Sequence, residues 1–114
     1  MRVKRGVTSH KRHSKVRQAT KGMSHPNRVS YKRGKQTLTK SLQYATRDRK
    51  NQKRTFRQLW NARINAAARI NGTTYSKLMA NLKTKQIQLD RKVLAELAVN
   101  EPKVFSEIVK AAQK

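Results

Sequence analysis

Thr46-Arg47-Asp48-Arg49-Lys50-Asn51-Gln52-Lys53-Arg54-Thr55 is the stretch on which the fold turns. Its ten residues include no apolar side chain, and neither Gly nor Pro to stop a helix. Apolar residues resume at helical spacing with Phe56, Leu59, Trp60 and Ile64. A helix through such a segment has no hydrophobic face, so no protein core can cover any side of it. Five Lys/Arg stand against one Asp, which leaves water or a polyanion as the surroundings. The segment reads as the exposed middle of a long basic helix that becomes ordered against nucleic acid.

The composition supports that reading. A chain of 114 residues normally forms one domain with one modest core. Its formal net charge is +24. Residues 1–58 hold 19 Lys/Arg against Asp48 alone, and residues 59–114 hold 10 against Asp90, Glu96, Glu101 and Glu107. Repulsion on this scale opposes compaction of the first half unless a counter-polyanion neutralises it. Nucleic acid is the first expected partner, ahead of an anionic membrane surface and an acidic protein. Cysteine is absent, which removes disulfides, thiol chemistry and thiolate-held metals. No run of 18 apolar residues is present to span a membrane. The basic start lacks the apolar stretch of a secretory signal, and its Gly and Lys content suits a functional tail better than a transit peptide.

Along the chain, Met1 to Val7 reads as extended and basic, with no core to join. Thr8 or Ser9 can cap a short helix to about residue 21, with Gly22 as its left-handed end. Ser24-His25-Pro26-Asn27 breaks the chain, and Pro26 suits the first turn of a new helix. From there to Asn71-Gly72 only Gly34 interrupts, at about 1 kcal/mol, so a helix over about 26–71 is expected, roughly 65–70 Å long. Arg49/Lys53, Lys50/Arg54 and Lys53/Arg57 are like charges one turn apart, each unfavourable by roughly 0.2–0.5 kcal/mol. Residues 1 to about 55 are therefore expected to fray without a polyanion.

The last third reads as a compact helical unit. Thr74 caps a helix with Tyr75, Leu78, Met79 and Leu82 on one face. Asp90 caps a second with Val93, Leu94, Leu97 and Ala98 buried, Leu89 and Leu94 forming a hydrophobic staple. Asn100 caps a third, with Pro102 in its first turn and Val104, Phe105, Ile108, Val109 and Ala112 inside. Trp60, Ile64 and Phe56 are expected to join this core. The architecture is all-α: a basic N-terminal helical extension (residues 1–58) leading into a small C-terminal helical bundle (residues 59–114).

The chemistry-bearing residues point one way. The acids are solitary, no Gly-rich phosphate loop exists, and no Ser/His/Asp set is present, so an enzyme is not expected. His10 and His13 share a helical face, but Lys11, Arg12 and Lys15 repel a divalent cation and no carboxylate lies near; neither metal nor cofactor is expected. A membrane-active helix needs a continuous apolar face, which residues 46–55 lack. Phosphate contacts are assigned to Arg2, Lys4, Arg5, Lys11, Arg12, Lys15, Arg17, Lys21, Arg28 and Arg33. They continue through Arg47, Arg49, Lys50, Lys53, Arg54 and Arg57 to Arg63 and Arg69. Asn61 and Asn65, one turn apart, suit sugar 2′-hydroxyls. Tyr44 suits a base or sugar, and Ser76 and Lys77 a phosphate at a helix N-terminus. A DNA-compacting architectural protein satisfies the same composition.

Gln43-Tyr44-Ala45-Thr46-Arg47-Asp48-Arg49-Lys50 is followed by Lys53-Arg54-Thr55-Phe56-Arg57-Gln58-Leu59-Trp60 and Ala62-Arg63-Ile64-Asn65-Ala66-Ala67-Ala68-Arg69. Gly72 and Tyr75-Ser76-Lys77-Leu78 come next; Arg2-Val3-Lys4-Arg5-Gly6, Lys21-Gly22 and Asp90-Arg91-Lys92-Val93-Leu94-Ala95 flank them. The set resembles the bacterial and organellar large-subunit ribosomal proteins of the L-twenty family, over nearly the whole chain. Met23-Ser24-His25-Pro26-Asn27 departs from a family segment that is commonly aromatic and Gly-containing, and Tyr31–Leu38 is poorer in aromatics than is usual. The resemblance implies direct binding of large-subunit rRNA by a threaded helical extension and a small all-helical domain. It also implies neighbouring large-subunit ribosomal proteins as partners, a part in early subunit assembly, and, in some bacteria, repression of the protein's own mRNA. No membrane or small-molecule substrate is implied, and the expected place is the ribosome of the cytoplasm, a plastid or a mitochondrion.

Overall fold

A computed structural model of the chain describes residues 4–113. The protein is all-α, with α1 Gly6–Ala19, α2 Tyr31–Ile70, α3 Tyr75–Thr84, α4 Arg91–Asn100 and α5 Pro102–Gln113. Its contacts fall into two units, Met1–Lys50 and Asn51–Lys114, and α2 runs through the division.

In the first unit, burial is confined to Thr20 and Gly34 among the described residues. α1 starts earlier than its expected cap. Arg5 occupies the N-cap position without a side-chain bond, so Gly6 and Val7 are helical rather than extended, and neither Thr8 nor Ser9 caps. Met1 to Val3 lie outside the described residues. Thr20 ends α1 by folding back: its N–H donates to Val16 O at 3.0 Å, and its hydroxyl lies 3.0 Å from the same oxygen. Gly22 is left-handed at φ +87°, two residues past that cap.

The long helix begins at Tyr31 rather than near Pro26. Pro26 O instead accepts from Val29 and Ser30 in a separate turn, and the first bond of α2 runs from Gly34 N–H to Ser30 O at 2.8 Å. Gly34 is more than a tolerated interruption. A Cβ there would stand 2.9 Å from Asn27 O and 3.4 Å from Val16 Cγ1, so the missing side chain lets α1 and the turn close on α2. The His13 and Tyr31 rings stack beside it, centroids 4.0 Å apart.

The second unit has a true core. Ile64 and Ala68 of α2, Leu78 and Leu82 of α3, Leu94 and Ala95 of α4, and Phe105, Val109 and Ala112 of α5 are buried together. Trp60, Tyr75, Met79, Ile87, Leu89, Ala98 and Ile108 pack around them. α5 lies against both α3 and α4. Four expected core residues are outside it: Val93, Val104 and Phe56 are 41%, 41% and 45% exposed, and Leu97 is only partly buried. Val93 and Val104 each precede the buried residue by one position, and a 100° step is enough to turn a short helix's flank to water. Phe56 lies a turn before Trp60, where the helical core neighbours have not yet begun.

Two of the turns share one device. At the end of α2, Thr73 N–H donates to Ala68 O and Gly72 N–H to Arg69 O, around Gly72 at φ +75°. At the end of α3, Ile87 N–H donates to Leu82 O and Gln86 N–H to Lys83 O, around Gln86 at φ +56°. Both are Schellman closures, which satisfy the last carbonyls and turn the chain. Ile87-Gln88-Leu89 is thus a connector, and Leu89 and Leu94 sit as N′ and N4 of α4 in the core. Thr74 caps α3, its hydroxyl accepting from Lys77 N–H at 3.5 Å. Asp90 holds the N-cap position of α4 without a side-chain bond. Asn100 is the last residue of α4 rather than a cap, because Pro102 opens α5 one residue later than expected.

Leu94→Ala is expected to cost roughly 2–5 kcal/mol and Val93→Ala less than about 1 kcal/mol, in denaturant unfolding followed by circular dichroism. Equal costs would show that the buried face of α4 is misplaced. A Cβ at Gly72 would meet nothing within 4 Å, so Gly72→Ala isolates the left-handed backbone. It should cost about 1 kcal/mol in the same assay.

Candidate nucleic-acid interface

The sequence-assigned cations keep their side chains in solvent. Lys4 and Arg5 precede α1 and are exposed, as are Lys11, Arg12, Lys15 and Arg17 on it. Lys21 and Arg28 are exposed in the connecting turns, and Arg33 on the first turn of α2. Arg2 lies outside the described residues. One feature escaped the sequence reading: Lys32, Lys35 and Lys40 join Tyr31, Gln36, Thr39 and Gln43 around a shallow hollow on α2. Their i, i+3 and i+8 spacing was the available signal.

Every residue from Thr46 to Leu59 is exposed. The helix persists there by satisfying its polar side chains locally. Thr46 and Thr55 hydroxyls donate to Leu42 O and Asn51 O, one turn back, at 3.1 and 3.0 Å. Arg47 Nε donates to Asp48 at 2.8 Å, the one ion pair among the described residues. That hydrogen bond, and then the carboxylate's charge, raise the Arg47 pKa above its ordinary value. The Arg47 guanidinium also lies 4.7 Å from the centre of the Tyr44 ring, which gives the half-exposed ring a partner within the chain. Arg49 donates to Thr46 Oγ1 at 3.1 Å. Lys50, Lys53, Arg54 and Arg57 have no acidic partner among the described residues.

In the second unit Arg63, Arg69, Ser76 and Lys77 are exposed. Asn61 and Asn65 are half-buried and turned to an internal task. Tyr75 O–H donates to Asn61 Oδ1 at 3.0 Å while accepting from Arg91 Nε at 2.9 Å. Asn65 Oδ1 accepts Tyr75 N–H at 3.3 Å. The two amide oxygens therefore tie α2 to Tyr75 of α3, whose hydroxyl in turn holds Arg91 of α4, leaving the amide NH₂ groups as the parts available to a ligand. The same bonds occupy the N-terminus of α3, whose Lys77 N–H is taken by Thr74. A groove between α2 and α4 is lined by Trp60, Arg63, Lys92, Glu96, Val99 and Asn100 among others.

Among the described residues, no group of three or more His, Asp or Glu side chains is placed to hold a metal ion. No helix among them is long and apolar enough to cross a membrane.

The sequence profile of the family described as Ribosomal protein L20 matches residues 2–108. Similar proteins include the large ribosomal subunit protein bL20 of Magnetococcus marinus, 54% identical over 112 residues, 98% of this chain and 96% of that one. The bL20 of Methylibium petroleiphilum is 54% identical over 108 residues, covering 95% and 92%. That of Marinobacter nauticus is 50% identical over 112 residues, covering 98% and 96%. An exposed polycationic helix running into a small helical bundle, matched end to end by such relatives, has one assignment: the chain belongs to the ribosomal protein L20 family, structural proteins of the large ribosomal subunit.

Proposed function

We propose that this protein binds large-subunit rRNA directly and promotes early assembly of the subunit. The observation that carries the proposal is the run Thr46–Leu59, exposed on all sides with a single internal ion pair. Such a helix is electrostatically unsatisfied in water and satisfied among phosphates. Lys4 to Arg33 and Arg47 to Arg57 position the protein on the RNA backbone, contacts that carry no sequence information. Arg63, Arg69, Ser76, Lys77 and the amide NH₂ groups of Asn61 and Asn65 extend this contact in the helical bundle. Tyr44 supplies an aromatic face. Neighbouring large-subunit proteins complete its surroundings in the ribosome, and an mRNA structure imitating the rRNA site is a second ligand of the same surfaces.

The first unit, with two buried residues among those described, gains its helix by binding. Its ordering is the assembly step: a polycation that folds only where phosphates converge draws RNA segments together.

Filter binding to large-subunit rRNA should fall steeply with salt. Neutralising about 10 phosphates gives a log–log slope near −7 to −9. Duplex DNA at matched salt should compete poorly; competition equal to that of rRNA would favour a DNA-compacting protein instead. A chain lacking residues 1–55 should still unfold cooperatively, while a peptide of residues 1–55 should gain circular-dichroism helicity only on adding rRNA. A bundle that fails to fold, or a peptide fully helical at low salt, would overturn this division of labour.

A further inference from the structure

We infer that the groove between α2 and α4 receives one unpaired RNA base, with guanine as its best fit. The inference rests on the RNA-binding reading above and gives it a base-specific contact.

Phe56 and Trp60 stand one turn apart on α2, ring centroids 6.3 Å apart and tilted by 33°. Trp60 packs against the core on one side and lines the groove on the other. Phe56 joins no core and is 45% exposed. An aromatic held in water among Arg54, Arg57 and Lys53 has no folding role, but it extends the Trp60 surface on which a base can stack. Val99, 59% exposed, supplies an apolar wall from α4. The groove measures about 330 Å³, at the small end of the roughly 300–1,000 Å³ of ligand pockets. That suits one planar base rather than a duplex, whose edges are reached only across a shallow groove.

The polar lining sets the choice of base. Arg63 and Lys92 are exposed, one on each helix, and neither is ion-paired among the described residues. They are placed for the phosphates on either side of a splayed nucleotide. Glu96 lines the same groove and pairs with neither. A carboxylate repels phosphate, so its place in an RNA-facing groove calls for donors. It is acceptor-only, with two oxygens side by side. Guanine alone among the bases presents two parallel donors on its Watson–Crick edge, N1–H and the 2-amino group. Adenine and cytosine offer one amino group beside an acceptor, and uracil one N–H between two.

Trp60 is the sole tryptophan, so its fluorescence reports the groove in the full chain. Short oligouridylates carrying one central guanine, adenine, cytosine or uracil are titrated at one salt concentration. The guanine oligonucleotide should quench Trp60 at about ten-fold lower concentration than the others, within the range of a bidentate base contact. Glu96→Gln, at an exposed site and checked by circular dichroism, should abolish that preference. If Glu96 acted only through its charge, the substitution would tighten all four alike and keep their order. Equal quenching by all four, or a preference that survives Glu96→Gln, overturns the pocket. Lys92→Gln should weaken all four together. Filter binding of the same protein to large-subunit rRNA separates the two readings. Salt-steep rRNA binding without guanine preference removes the pocket alone, and absence of rRNA binding removes both.

Discussion

Charge without counter-charge is the constraint on which the rest of this structure depends. Twenty-nine cationic side chains face five carboxylates, and the described residues make one ion pair between them. Over the first half, helical backbone bonds and Thr hydroxyls returned to their own helix satisfy polar groups, but among the described residues only Arg47 finds a carboxylate. Surface ion pairs contribute little in any protein; their near-absence matters here because it leaves the cations unscreened except by salt. A polyanion with closely spaced phosphates supplies what the fold lacks, and it does so along a helix that has no inside.

The second unit solves a different problem, which is to build a core from about sixty residues. Its answer is economy of turns. Two Schellman closures, at Gly72 and Gln86, satisfy the terminal carbonyls while redirecting the chain within a few residues. α5 then seals the bundle with Phe105 and Val109, both 1% exposed. The Asn61–Tyr75–Arg91 relay adds direction to what hydrophobic burial alone leaves loose, since its members come from α2, α3 and α4 and its bonds are 3.0 and 2.9 Å long. The groove beside Trp60 is bounded by Trp60 and Arg63 of α2 and by residues of α4. Buried Ala95 and exposed Lys92, Glu96 and Val99 supply its α4 side.

Much of this is legible in the sequence. The helical class, the exposed polar run, the Gly72 stop, the Thr74 cap and the Leu89–Leu94 pairing follow from spacing and local chemistry, which act within one or two turns. Phe56, Val93 and Val104 were not legible, because apolar character says only that burial is favourable and not that a neighbour stands there. The one-turn spacing of Asn61 and Asn65 suggests ligand-facing amides. Their oxygens instead meet Tyr75, and a bond across ten or fourteen residues leaves no mark on local pattern.

The sequence by itself determined the charge imbalance, the helices and most of the large side chains of the bundle's core, because composition and periodicity fix the sign of a field and the face of a helix. Only the tertiary structure decided where α1 meets α2 at Gly34 and which polar groups are consumed inside. It alone set the Glu96 carboxylate, unpaired among the described residues, in one groove with a tryptophan. Those outcomes depend on distances between residues far apart in the chain, and such distances arise only when whole elements pack.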